Sequence, residues 1–120
     1  MKVIFRNSNL VFERAISVNL IAKYGVQAGI FINERGEQIT DSTYNTTNIA
    51  PTENYTKVLA VLLDGKSSAN LWISCYDNSK TFISQKFATF NSEPVAIPST
   101  AKYIRVSYDT REVNEIRIQE

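Results

Sequence analysis

Chemistry in this chain has few residue types to draw on. The sequence holds no histidine and one cysteine, Cys75. That removes imidazole general bases, Ser-His-Asp and Cys-His nucleophile systems, imidazole metal sites and an internal disulfide together. Acid–base and cation chemistry are left to carboxylates. Glu34 and Glu37 flank a short tip around Gly36, Asp64, Asp77 and Asp109 each end an apolar stretch, and Glu112, Glu115 and Glu120 gather near the C-terminus. A hard cation wants about six to eight converging oxygens, and no EF-hand-type spacing is present. These carboxylates therefore read as turn formers and solvated charge, with a surface Ca²⁺ helped by loop carbonyls as the alternative. A two-carboxylate glycosidase rests on a spatial pair that spacing does not reveal, but a 120-residue chain leaves little room for its cleft. The four glycines stand singly, so no phosphate-cradling loop is present. No catalytic residues, metal site or cofactor are expected.

Aromatic side chains are the richer set. Six Tyr and one Trp supply flat amphipathic faces that stack on sugar rings or anchor a protein contact. If Leu71, Ile73 and Cys75 face a core, Trp72 and Tyr76 share the opposite face. Trp72 is then either an exposed anchor or a ring packed under a loop or a neighbouring strand. Tyr44 and Tyr55 lie among Asn and Thr residues that could hydrogen-bond a sugar or a peptide, or else pin their own loop. These four, Trp72, Tyr44, Tyr55 and Tyr76, are the candidate ligand-binding residues. Lys102-Tyr103-Ile104-Arg105, followed by Arg111 and Arg117, would place Tyr103 and Arg105 on one side of a strand, a pairing suited to single-stranded nucleic acid. Asp109, Glu112, Glu115 and Glu120 offset that charge, and the expectation is a cross-strand salt-bridge ladder and no nucleic-acid partner. Cys75, inside Leu71-Trp72-Ile73-Ser74-Cys75-Tyr76, reads as a small buried hydrophobe.

The elements that must position these residues are strands. At 120 residues, 43% apolar and 21% charged, with 13 basic against 12 acidic side chains, the chain has the composition of one globular domain spanning residues 1–120. No signal peptide and no bilayer-length apolar run is visible, so membrane insertion is not expected. Ile16, Val18 and Leu20 alternate with polar residues as in a half-buried strand, and Ala22-Lys23-Tyr24-Gly25 offers a turn. A rival helix over residues 10–23 is set aside because Val11, Ile16, Val18 and Ile21 are β-branched. Residues 27–32 and 37–40 form a hairpin, with Gly36 supplying a positive φ. Residues 41–56 read as a long polar connection with one short edge strand near 44–49. Residues 57–63 read as a central strand covered on both faces. A second hairpin turns at Asp77-Asn78-Ser79-Lys80, residues 94–98 are held to an edge by their prolines, and Ile104, Val106, Ile116 and Ile118 mark two more strands. Short strands at this spacing predict an all-β fold, a two-sheet antiparallel β-sandwich.

Several segments resemble a known family. The stretch from Leu71 to Ser84, then Val95-Ala96-Ile97-Pro98 and Ala101-Lys102-Tyr103-Ile104-Arg105-Val106-Ser107, together with Gly29-Ile30-Phe31-Ile32-Asn33 through Gly36, is similar to the galactose-binding-like jelly-roll modules of bacteriophage tail, fibre and virion surface proteins, notably phages of gut Bacteroidetes. The similarity covers roughly residues 27–118. It implies a jelly-roll-like sandwich and a non-catalytic virion structural protein that works by protein or glycan recognition. It supplies no ligand set that maps residue by residue. Such modules generally belong to longer fibre chains, whereas this sequence runs from Met1 to Glu120, which points to a capsid decoration or head-fibre-type component. The implied partners are other virion proteins, a host surface glycan and a second copy of the chain, and the implied location is the virion. A free-standing carbohydrate-binding lectin is the alternative. The apolar bursts Val3-Ile4-Phe5 and Leu10-Val11-Phe12 are either an oligomer or capsid contact or a first hairpin of the sandwich.

Overall fold

The computed structural model describes residues 17–120 and, ahead of them, the backbone pairing of β1 (Lys2–Val3) with β2 (Phe12–Glu13). The contact surface expected over residues 1–15 otherwise lies outside the described residues. The remaining elements are β3 (Ser17–Asn19), α1 (Leu20–Tyr24), β4 (Val26–Ile32), β5 (Gln38–Thr47), β6 (Ala50–Pro51), β7 (Lys57–Leu62), β8 (Ala69–Tyr76), β9 (Phe82–Phe90), β10 (Val95–Ala96), β11 (Tyr103–Asp109) and β12 (Val113–Gln119). They form two antiparallel sheets. One runs β10-β7-β12-β3, and the other β4-β5-β11-β8-β9 with β6 also paired to β11. Alternation drives the packing: Leu71, Ile73 and Cys75 on β8, Ile104 and Val106 on β11, Val58 and Ala60 on β7, and Ile116 and Ile118 on β12 meet in one core between the sheets. The chain is an all-β two-sheet sandwich, as its strand pattern predicts.

Three local expectations need correction. Leu20–Tyr24 is a helical turn, not the end of a strand. Asn19 caps it by accepting from Ile21 N at 3.1 Å, Gly25 closes it at φ +81°, and the fully buried Leu20 plugs the core. Residues 41–56 are no loose connection, because β5 extends to Thr47 and lies inside its sheet between β4 and β11. Its threonines are β-branched and their hydroxyls complete the ladder. Thr47 Oγ1 accepts Val106 N at 2.9 Å where β11 changes partner from β5 to β6. Finally, β7 puts Val58 and Ala60 in the core, while on its other face Leu59 is partly buried and Val61 is exposed.

The outer face of the larger sheet carries the most distinctive feature. At Gly29, φ +71°, the β4–β5 ladder shifts register, so that the outer half of this hairpin leaves the sheet plane and folds back across it as an arm. Small hydroxyls below it allow the arm backbone close approach. Ile32 N donates to Ser107 Oγ at 3.1 Å, Gln85 Nε2 donates to Ile32 O at 2.6 Å, and Thr46 Oγ1 donates to Ile30 O at 2.7 Å. Because that spends the one proton of Thr46, the 2.8 Å contact between the two hydroxyls has Ser107 as donor. Gln85 also donates to Ser74 Oγ at 3.2 Å. Thr46, Ser74 and Ser107 are wholly buried in consequence, and Ile32 of the arm is buried with them.

Two substitutions test this docking. Ser107→Ala leaves Ile32 N without its acceptor in a buried site, and the expected loss is about 1–3 kcal/mol in urea denaturation, with faster amide exchange at Ile32. Gly36→Ala is expected to cost more than Gly29→Ala. Both glycines have positive φ, worth about 1 kcal/mol against a β-carbon. At Gly36 the new carbon would also sit 2.5 Å from Phe82 Cγ, whereas at Gly29 it meets nothing within 4 Å. Equal losses in melting temperature would show that the arm tip does not rest on Phe82.

Candidate functional site

The four candidate aromatics separate into three places. Trp72 and Tyr44 come together on the outer face, where β8 and β5 lie on either side of β11. Trp72 lies 5.1 Å from Phe31, 5.5 Å from Tyr44 and 4.9 Å from Phe87 between ring centroids, and Phe31 meets Tyr44 at 5.2 Å, three of the four contacts being edge-to-face. Phe31 belongs to the arm, so Trp72 fastens the arm from one side; of its two readings, the packed ring describes what it touches. Burial, followed by the negative charge of Asp109, Glu112 and Asp41, pushes the Tyr44 phenol above its ordinary value. Tyr76 is buried on the other side of the arm, 5.8 Å from Phe82. Its phenol too is pushed up by burial, partly offset by neighbouring Arg105. Neither Tyr44 nor Tyr76 is placed beside Tyr55.

Arg105 works as a clamp on the same side. Its Nε donates to Thr47 O at 3.0 Å, and Nη2 and Nη1 reach Gln27 and Gln38 at 3.0 and 3.4 Å, one glutamine from each strand of the arm hairpin. The expected cross-strand salt-bridge ladder is not formed among the described residues. Arg111 pairs with Asp109 and Arg117 with Glu115, each two residues away along the chain. Asp109 and Glu115 are thus each engaged by an arginine close by along the chain.

Tyr55 stands elsewhere, in a groove of about 380 Å³ at one end of the sandwich. Its walls are the β6–β7 loop, the β10–β11 loop, the start of β11 and the β8–β9 turn. They bring together Thr52, Glu53, Tyr55, Asn78, Ser99, Lys102 and Tyr103 with Pro51, Ile97 and Pro98. Main-chain bonds fix the walls. Thr52 N donates to Lys102 O at 3.0 Å, Tyr55 N to Thr52 O at 2.7 Å, Ile97 N to Thr56 O at 2.8 Å and Lys102 N to Tyr76 O at 2.8 Å. The buried Thr52 hydroxyl adds a bond to Ala101 O at 3.0 Å. At the rim, the Lys80 ammonium stands 5.2 Å from the Tyr103 ring centroid. Glu53 is held at φ +46° and Lys80 at φ +64°, conformations that L-residues with a β-carbon seldom adopt.

Tyr103 is the groove residue that sequence reasoning assigned to a different role. The signal available was its place three residues after the Pro98-Ser99-Thr100 turn, which puts it at a strand start and hence at an end of the sandwich. No group of three or more metal-ligating side chains is found among the described residues, and Glu53 is the one carboxylate lining the groove. Burial pushes the Cys75 thiol up, away from thiolate reactivity. Comparison with family models, with curated proteins and with solved structures found no match.

Opposite the groove, Asp109 closes the other end. Its carboxylate accepts Arg111 N at 2.8 Å and Nε at 3.0 Å through one oxygen and Nη2 at 2.7 Å through the other. Those bonds hold it below the usual carboxylate range. A lowered folded-state value means stability that is present above the unfolded Asp value, about 3.9, and is lost as pH falls through the folded one. Asp109→Asn is therefore expected to flatten the acid limb of a stability–pH profile below about pH 4, measured by urea denaturation. An unchanged limb would remove Asp109 from the acid response.

Proposed function

We propose that the chain is a non-catalytic recognition module that binds a glycan in the groove at the sandwich end, as a surface component of a phage virion. The observation that carries the glycan reading is the pairing of Tyr55 and Tyr103 with Asn78, Ser99, Thr52 and Glu53 in a concave site whose backbone is already hydrogen-bonded. Sugar rings present an apolar face for stacking and a ring of hydroxyls for donors and acceptors, and such a lining offers both. A single lining carboxylate supports binding over hydrolysis, since glycoside cleavage ordinarily uses two flanking carboxyl groups. The virion setting rests on the resemblance of the β8–β9 and β11 sequences to phage surface modules. The same groove serves equally in a free-standing lectin, and neighbouring capsid or polysaccharide-degrading genes separate the two.

The test is a ¹⁵N-HSQC titration of the full chain with a panel of neutral monosaccharides and with oligosaccharides released from host surface polysaccharide. Binding is expected to shift amides of residues 52–56, 78–80 and 97–103 and to leave the Trp72 indole unmoved. Tyr103→Ala is expected to weaken it by about tenfold, the loss of roughly 1.4 kcal/mol of stacking. Shifts clustered around Trp72 and Phe87, or none with any sugar, would overturn the groove as a glycan site.

A further inference from the structure

We infer that β9 is the self-association edge of this protein, pairing antiparallel with β9 of a second copy about a two-fold axis at Phe87. β9 ends the strand order of the larger sheet and, among the described residues, pairs with β8 alone. An open edge of nine residues invites another strand unless it is shortened, bent or charged. The other edges are managed in those ways. β10 and β3 have two and three residues, and β4 is bent at Gly29. β9 is long, and its one charged side chain does not guard it: Lys86 reaches across to the other sheet and donates to Ala96 O at 2.9 Å.

The register follows from the strand itself. The β8–β9 ladder is irregular at Ile83, since Cys75 opposes Ser84 while Tyr76 opposes Phe82. Residues 84–90 are therefore the regular part of the edge, and their midpoint is Phe87. A two-fold there sets Gln85 opposite Thr89 of the second copy, Lys86 opposite Ala88 and Phe87 opposite itself. Phe87 is 54% exposed, the largest exposure among the described large apolar side chains, and stands directly across from Trp72. Pairing extends the Phe31–Trp72–Phe87 row into the second copy and covers that ring. The edge is smaller than the roughly 800 Å² per partner of a standard interface, so the dimer is expected to depend on concentration. Antiparallel pairing also carries the two end grooves to opposite ends of the assembly, a geometry that bridges separate ligands. The pairing itself does not depend on what the grooves bind.

Sedimentation velocity of the full chain from micromolar to near-millimolar concentration is the test. Reversible dimerisation is expected, and Phe87→Lys, which places two ammonium groups at the axis, should weaken it by at least about tenfold at a concentration and temperature where circular dichroism shows the variant folded. A single-cysteine series fixes the location without relying on that variant. With Cys75 buried, Phe87→Cys should cross-link to itself under mild oxidation, because the axis sets it opposite its copy, and Ile39→Cys, exposed on the arm, should not. A chain that stays monomeric throughout overturns the inference, including where the edge takes a strand of a different protein. So does a dimer that Phe87→Lys leaves intact or that cross-links through Ile39→Cys.

Discussion

The fold turns on one constraint: the arm formed by the outer half of β4–β5 has its backbone laid flat on a sheet face, and a backbone buried there must find partners for its polar groups. Ser107, Thr46 and Gln85 provide them for Ile30 and Ile32. Each is small or extended enough to let main chain approach main chain. A valine at 46 or 107 would have suited strand propensity as well, but would have left Ile32 N or Ile30 O without a partner. Everything else on that face follows. Trp72, Tyr44 and Phe31 pack along one flank, Tyr76, Phe82 and the Arg105 clamp along the other, and Gly36 is a glycine because its α-carbon sits on Phe82.

The same constraint explains which parts of the molecule were legible in the sequence. Inner-facing positions were, because Leu71, Ile73, Cys75, Ile104, Val106, Ile116 and Ile118 obey the two-residue period that one core imposes. The turn at Gly36 and the Asp77–Lys80 turn were legible from local chemistry. The arm was not. Ser74, Ser107 and Thr46 carry the polar half of an alternating pattern, which ordinarily means solvent, and nothing local distinguishes a hydroxyl facing water from one facing a folded-back backbone 16 or 75 residues distant in sequence. For the same reason the polar residues 41–47 read as loop, although they form an interior strand. Of the candidate site, Tyr55 was legible as an aromatic in a polar connection, whereas its partner Tyr103 looked like part of a charged strand, because the groove joins segments about fifty residues apart.

Under the glycan proposal, recognition lies away from the arm-covered face of the larger sheet. In a sandwich the exposed sheet face is the broadest surface available for a ligand, and here much of it is occupied by the chain itself. The far end is tied off by Asp109 with Arg111 and by Thr110, whose N and Oγ1 both donate to Thr43 O at 2.9 and 3.1 Å. The near end is built differently. Its loops are held by bonds among their own main-chain atoms, while the side chains of Tyr55, Tyr103, Asn78 and Ser99 are left lining open space.

That division has an energetic meaning. Ordering a loop around a ligand costs conformational entropy that a shallow groove with few contacts has little means to offset. Under the glycan proposal that cost falls at folding: Thr52, Ile97, Lys102 and Tyr55 are held by main-chain bonds, and Glu53 and Lys80 take left-handed conformations. Strain of that kind persists only where surrounding structure over-determines it. Glu53 and Lys80 sit beside two tyrosines at the open end, Ser92 in the β9–β10 loop is a third residue with a β-carbon at positive φ, +89°, and the positions at Gly25, Gly29 and Gly36 are glycine. Under the glycan proposal, the Glu53 and Lys80 conformations fix the β6–β7 loop and the β8–β9 turn beside Tyr55 and Tyr103, while Ser92 shows that such backbone is not confined to the groove.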